Sequence, residues 1–200
     1  MPLIETGVAA AMPEGQARSG DRHVVESSAG GVLAAVVDGL GHGDGAAEAA
    51  EAAAAVLARH AGEPPAALIR RCHEALRSTR GAVMSLAWFD PRRGTMTWLG
   101  VGNVEGALLR ADPEASPREE FLLLAGGVVG CRLPRLRASA IPVALGDTLI
   151  LATDGIEAGF TRDLTPDDPP QRIADGIVAR HRKETDDALV LVARYAGGRP

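Results

Sequence analysis

Four aspartate positions carry most of the chemical potential of this chain, and each stands at one end of a strand, two after it and two before it. The first lies in Val36-Val37-Asp38-Gly39-Leu40-Gly41-His42-Gly43, where a β-branched strand runs into a carboxylate and then into glycines at alternate positions. Leu149-Ile150-Leu151-Ala152-Thr153-Asp154-Gly155 repeats the arrangement. Asp21 follows Ser19-Gly20 and precedes a short strand from His23 to Glu26, and Thr185-Asp186-Asp187 precedes the apolar run Ala188 to Tyr195. A carboxylate at the end of a buried strand is costly to desolvate unless a cation or hydrogen-bond donors compensate it. Asp38 therefore reads either as a ligand for a hard metal ion or as the cap of a following helix, and the octapeptide alone does not choose. Repetition does: two Asp-Gly pairs after hydrophobic strands imply convergence at one rim of a sheet, and carboxylates held together repel unless cations neutralise them. Mg²⁺ and Mn²⁺ take oxygen ligands of this kind, while the scarcity of paired His and Cys argues against zinc. Two such ions sharing one carboxylate would generate a hydroxide and clamp a phosphoryl group.

The elements that must position these residues follow from periodicity. Leu3 to Ala11 reads as an edge strand, and Gly31 to Val37, apolar on both faces, as a central strand buried on both sides. Alanine-dense Ala46 to His60 is a strong helix former, and Pro64-Pro65 opens a second helix from Ala66 to Ser78 with apolar residues at helical spacing. Ala82 to Phe89, Thr95 to Val101 and Val104 to Arg110 read as a meander, with a bulge or close backbone approach at Gly100-Val101-Gly102-Asn103. Phe121 to Leu124 reads as a further strand, Gly126 to Leu133 as a glycine-rich loop, and Arg135 to Ile141 with Thr148 to Ala152 as a strand pair. A helix between residues 166 and 182 turns Ile173, Ile177 and Val178 inward, and Ala188 to Tyr195 is the last strand.

The 200 residues suit one domain, 1–195, with a disordered tail at 196–200. A net charge of -5 with acids and arginines intermixed gives no basic stripe for nucleic acid. No apolar run reaches the length of a membrane span and no signal peptide opens the chain, so a cytoplasmic protein is expected. Cys72 and Cys131 form no metal or disulfide spacing, and Cys72 reads as a core residue rather than a nucleophile.

The order Gly20-Asp21, Asp38-Gly39-Leu40-Gly41-His42-Gly43, Gly102-Asn103, Thr153-Asp154-Gly155 and Asp186-Asp187 resembles the metal-dependent protein serine/threonine phosphatases of the PPM (type 2C-like) class, and within it the SpoIIE branch. Arg80-Gly81-Ala82 and Gly102-Asn103-Val104 look most like the RsbX-type phosphatases of stressosome pathways. The resemblance spans nearly the whole chain. It implies an α+β fold, a four-layer α/β/β/α sandwich of two mostly antiparallel sheets flanked by helices, with two Mn²⁺ or Mg²⁺ ions in a cleft between sheet edges. By the same resemblance Asp38 is the bridging ligand, Gly39 contributes its backbone carbonyl, Asp154 and Asp186 bind from the other side, and Asp21 acts through a bound water. Asp187 could exchange roles with Asp186.

Arg80, His42 and Asn103 are candidates for contact with substrate, each with a plainer reading as a surface ion pair, a solvated loop residue and a turn or supporting residue. The chain departs from the family pattern at Leu189 and Val83, where relatives carry Thr or Ser, and it has no secure match for the phosphate-binding arginine near the N-terminus of eukaryotic members, Arg18 being a weak candidate. The implied function is dephosphorylation of phosphorylated STAS-domain proteins of a stressosome-like complex by attack of a metal-bound hydroxide, without a phosphoenzyme. The alternatives are a SpoIIE- or RsbU-like phosphatase of an anti-anti-sigma factor and a catalytically silent binding module with the same fold. The enzyme is expected to be monomeric, and with no flanking sensor module expected, its regulation should come from outside the chain.

Overall fold

Near-continuous apolar runs, buried on both faces, form the central strands of the two sheets in this computed structural model, which describes residues 1–198. In chain order the elements are β1 (Ile4–Ala11), β2 (Asp21–Ser28), β3 (Gly31–Gly39), α1 (Asp44–Arg59), α2 (Pro65–Ala75), β4 (Ala82–Asp90), β5 (Thr95–Val101), β6 (Glu105–Leu109), β7 (Glu119–Phe121), β8 (Leu124–Ala125), β9 (Ser139–Pro142), β10 (Thr148–Ala152), α3 (Pro170–His181) and β11 (Ala188–Tyr195). One sheet has the order β1-β11-β10-β6-β7 and the other β2-β3-β4-β5-β8, with β9 also pairing β5. Every ladder is antiparallel except the short β5–β8 pair.

The alternation within single strands sorts side chains into layers. On β3, Val32, Ala34 and Val36 face the other sheet, while Leu33, Ala35 and Val37 face α1 and α2. On β11, Leu189, Leu191 and Ala193 face inward and Ala188, Val190 and Val192 pack under α3. Between the sheets Phe89 and Tyr195 stack with ring centroids 6.2 Å apart. The four-layer α/β/β/α sandwich implied by the resemblance is the fold observed. Small residues bring α1 close to its sheet: Ala46, Ala49, Ala50 and Ala53 are fully buried. Both α2 and α3 begin with proline in the first turn, where the missing N–H costs nothing. Among the described residues no helix is long and apolar enough to cross a membrane.

Three expectations about strand pairing are corrected. Strands β4 and β5 form a hairpin, but β6 leaves it for the other sheet, so there is no meander. The crossing occurs at Gly102, whose φ of +99° and whose contact with Val83, 2.1 Å from the position a Cβ would take, admit only glycine. The run Phe121 to Leu124 is divided between β7 and β8 in different sheets, since Leu122 N donates to Gly106 O and Trp98 Nε1 to Leu123 O on opposite sides of the crossing. Strands β9 and β10 do not pair with each other: β9 adds to β5 and β10 lies between β6 and β11. At the free edge of β1, the Gln171 side chain donates to Val8 O and accepts from Val8 N, standing in for a neighbouring strand. The chain leaves β11 with Ala196 N donating to Leu3 O; of the tail expected to be disordered, residues 199–200 lie outside the described residues.

This topology puts the four aspartate positions together. Strands β2 and β3 run antiparallel, so the start of one lies beside the end of the other, and the same holds for β10 and β11. Asp21 and Asp38 thus share one sheet end, while Asp154 and Asp186 flank the corresponding end of the facing sheet. Asp38 does not cap α1, which begins at Asp44 with Gly43 at its N-cap and no side-chain cap.

Gly39 lets α1 dock against the end of β3, because a Cβ there would stand 2.0 Å from Ala46 O. Gly39→Ala is expected to lower stability by about 1–3 kcal/mol through overpacking. Urea denaturation should show a lower midpoint at unchanged slope, and an unchanged midpoint would contradict the close approach.

Candidate metal centre

In the β2–β3 ladder Asp21 stands directly opposite Asp38, and both side chains lie on the face turned toward the second sheet. Like charges directly opposite each other in an antiparallel pair destabilise it. Asp21 is 4% exposed. Burial, followed by the neighbouring carboxylates Asp21, Asp154, Asp186 and Asp187, pushes Asp38 up to about 8. Burial likewise pushes Asp21 up to about 7, against the pull of a hydrogen bond from Thr153. Asp186 is raised by desolvation, held back by the N–H of Asp187, and raised again by Asp154 and Asp187.

The facing sheet supports these carboxylates across the gap. Thr153 Oγ1 donates to Asp21 Oδ2 at 2.8 Å and accepts from Leu189 N at 2.9 Å, so one buried hydroxyl ties β10, β11 and β2 together. Leu189 itself fills the core between the sheets. Asn103, delivered by the Gly102 turn, donates from Nδ2 to Asp154 Oδ2 at 2.8 Å, and Lys183 Nζ donates to Asp154 O. The adjacent aspartates 186 and 187, interchangeable in sequence, differ in structure. Asp187 is buried and its carboxylate accepts from Gly20 N at 2.7 Å and from Gln16 Nε2 at 2.8 and 2.9 Å. Asp186 is exposed, accepts from Asp187 N, and opens into a cleft of about 700 Å³.

Asp38, Asp154 and Asp186 line that cleft together with Gln16, His42 and Asn103. The Gly39 backbone lies beside them, its N–H donating to Gly20 O and its carbonyl oxygen 3.5 Å from where a Gly20 Cβ would stand. Arg80 is not brought into the cleft. It lies across Gly41 and Gly45 and donates weakly to His42 O, at 3.4 Å. Arg18 is engaged by Asp44 and Glu51.

Among the described residues, no arginine or lysine side chain is ion-paired with Asp21, Asp38, Asp154 or Asp186. The donor set is carboxylate and carbonyl oxygen, which fits Mg²⁺ or Mn²⁺ and not a soft metal. Among the described residues no three His, Cys, Asp or Glu side chains close around one point. Sequence reasoning passed over Thr153, Gln16 and Lys183 as supports. Thr153 was legible only as part of its motif, and Gln16 carried no signal, since its partner Asp187 is 171 positions away.

The SpoIIE family profile, described as Stage II sporulation protein E, matches residues 28–196. Phosphoserine phosphatase RsbX of Bacillus subtilis (strain 168) is 27% identical over 194 residues, covering 96% of each chain. A solved structure described as "The bacterial stressosome: a modular system that has been adapted to control secondary messenger signaling" superposes with a TM-score of 0.85 at 29% identity, covering 96% of this chain and 99% of its own. RsbX in complex with magnesium shares the fold at a TM-score of 0.85 and 23% identity, covering 96% of each chain. The Mycobacterium tuberculosis serine/threonine phosphatase PstP/Ppp shares it at 0.75 and 14% identity, covering 96% of this chain and 99% of that one.

The raised carboxylates make a prediction about pH. Asp21 and Asp38 bind their protons more tightly folded than unfolded, so the stability they contribute is full below their ordinary value of 3.8 and is lost as pH rises through 7 to 8. Glu51 and Glu63, held low by arginines, act in the opposite sense but only as pH falls below their ordinary 4.5. In chelator, the melting temperature should fall from about pH 5 to about pH 8.5, and a flat or rising profile would contradict the opposed pair.

Proposed function

The chain belongs to the SpoIIE family, and from that premise we propose that it is a metal-dependent protein serine/threonine phosphatase acting on a phosphorylated STAS-domain protein of a stressosome-like complex. The observation that carries the reading is the Asp21–Asp38 pair, buried and half-buried respectively, opposed within one ladder and faced across the cleft by Asp154 and Asp186. Support for the substrate class comes from the phosphoserine phosphatase at 27% identity and the stressosome structure at 29%. We read residues 1–195 as one catalytic unit that acts as a monomer.

Asp38, Asp154, Asp186 and the Gly39 carbonyl would hold the ions, two by the family resemblance, with Asp21 one step removed. When bound, Mg²⁺ or Mn²⁺ supplies neutralisation of the carboxylates and Lewis-acid activation of a water and of the phosphoryl oxygens. The chain's own residues supply the geometry. Thr153 fixes Asp21 across the sheet gap, and Asn103 fixes the rotamer of Asp154. Gln16 and Gly20 hold Asp187 away from the cleft, which leaves Asp186 free to face it. We take water as the phosphoryl acceptor, and neither cysteine is placed to replace it: Cys72 is buried against α1 with its thiol pushed up to about 12 by burial, and Cys131 is not part of the cleft lining.

Hydrolysis of p-nitrophenyl phosphate should require Mn²⁺ or Mg²⁺ and stop in EDTA. Asp38→Asn should cut kcat at least tenfold, a barrier rise above ~1.4 kcal/mol, with an unchanged circular dichroism spectrum. Full turnover in chelator, or a mild effect of Asp38→Asn, would remove the metal mechanism.

Surface contacts beyond the phosphate would orient a folded substrate. A phosphorylated STAS-domain protein should therefore show a higher kcat/KM than its excised phosphopeptide or an unrelated phosphoprotein. Equal values for all three would reject the STAS assignment and leave the phosphatase chemistry standing.

A further inference from the structure

From Phe121 to Gly146 the chain holds no acidic residue, in a protein whose net charge is -5, yet it holds Arg132, Arg135 and Arg137. All three are exposed and, among the described residues, none is ion-paired; Arg59, Arg70, Arg92 and Arg162 are likewise unpaired, so what sets the strip apart is the clustering of three arginines with no acidic neighbour in sequence. Their backbone is firmly held. Leu133 and Leu136, between the arginines, pack onto the core beneath α1 and α2. Gly130 N donates to His73 Nδ1 of α2 at 2.9 Å. Val128 and Arg132 exchange both backbone hydrogen bonds at 2.9 Å, and Ala82 and Val129 do the same.

The same stretch forms a wall of the metal cleft. Gly126, Gly127 and Val128 line it, and a Cβ on Gly127 would stand 2.7 Å from Pro134 Cδ and 2.8 Å from Arg132 O. Three unpaired guanidiniums are thus carried on an anchored strip immediately behind the wall of an acidic cleft. A locally basic strip beside the cleft of a net-acidic protein is complementary in charge to an anionic partner. Guanidiniums meet carboxylates and phosphates two oxygens at a time, and with the phosphoresidue itself at the cleft aspartates, the carboxylates of the flanking segment are the partners left for the strip.

We propose that the strip bearing Arg132, Arg135 and Arg137 is a docking surface for an acidic segment flanking the phosphoresidue of a protein substrate. The proposal rests on the phosphatase reading above and deepens it, by assigning the charge of the substrate surface that enters beside the cleft. Each exposed pair contributes modestly and is screened by salt, so the effect is one of selection among substrates rather than of chemistry.

The test uses three phosphoserine peptides of one sequence whose flanking positions are acidic, neutral or basic, and reads the ratio of kcat/KM for the acidic over the neutral peptide. The wild type should favour the acidic peptide by about five- to tenfold at low salt, and the preference should collapse at about 0.5 M NaCl, where the screening length is short. Arg132→Gln/Arg135→Gln/Arg137→Gln should bring the ratio to about one, with a melting temperature equal to that of the wild type. A wild-type ratio of one, or a preference that survives in the triple variant, overturns the proposal. Should the wild type turn over neither the peptides nor p-nitrophenyl phosphate, the phosphatase reading fails. The strip is then decided by fluorescence anisotropy of the labelled peptides: tighter binding of the acidic one, lost in the triple variant, supports it, and equal binding overturns it.

Discussion

The structure turns on the placement of two carboxylates, Asp21 and Asp38, directly opposite each other in a β-ladder and largely out of water. Their register is not free to change. Ser28 pairs with Gly31, so the two-residue loop Ala29-Gly30 sets the register of the whole ladder and with it the opposition of Asp21 and Asp38. The hairpin therefore enforces a charge arrangement that the carboxylates alone would avoid, and core packing supplies the free energy that holds it.

The second sheet completes the arrangement through a few polar links that cross the gap between layers. Thr153 reaches Asp21, Gly20 reaches Asp187, and Asn103 reaches Asp154. Each link joins elements far apart in sequence, so the rim is rigid only when both sheets are assembled. Close backbone packing reinforces this: a Cβ on Gly155 would stand 1.8 Å from Asp187 O, which fixes the loop after β10 against the start of β11. The rim is thus a product of the whole sandwich rather than of any one loop.

Much of this was legible in the sequence because burial writes itself into runs of apolar residues. The ends of β3 and β10 could be read where those runs stop at Asp-Gly, and a helix could be read from the alanines of α1. Pairing was less legible. The crossing at Gly102 depends on a close contact with Val83, and the division of residues 119–125 between two sheets depends on Gly106 and Trp98, none of which leaves a periodic mark. The separate fates of Asp186 and Asp187 were hidden for the same reason: they hinge on Gln16, a residue whose identity says nothing locally about its distant partner.

The glutamine side chain that bonds both ways to Val8 has a consequence for how the molecule behaves among its own copies. An outermost strand with free amide and carbonyl groups is a template on which another chain can extend the sheet, and β1 occupies that position. Gln171 uses up the groups of Val8 midway along the strand, and Gly7 brings the start of α3 so near that a Cβ there would stand 2.2 Å from Gln171 N. A foreign strand would have to displace a helix to add there. This border of the sandwich is consequently shielded against runaway self-association in a crowded cell, by a device that requires neither lysine nor proline on the strand itself.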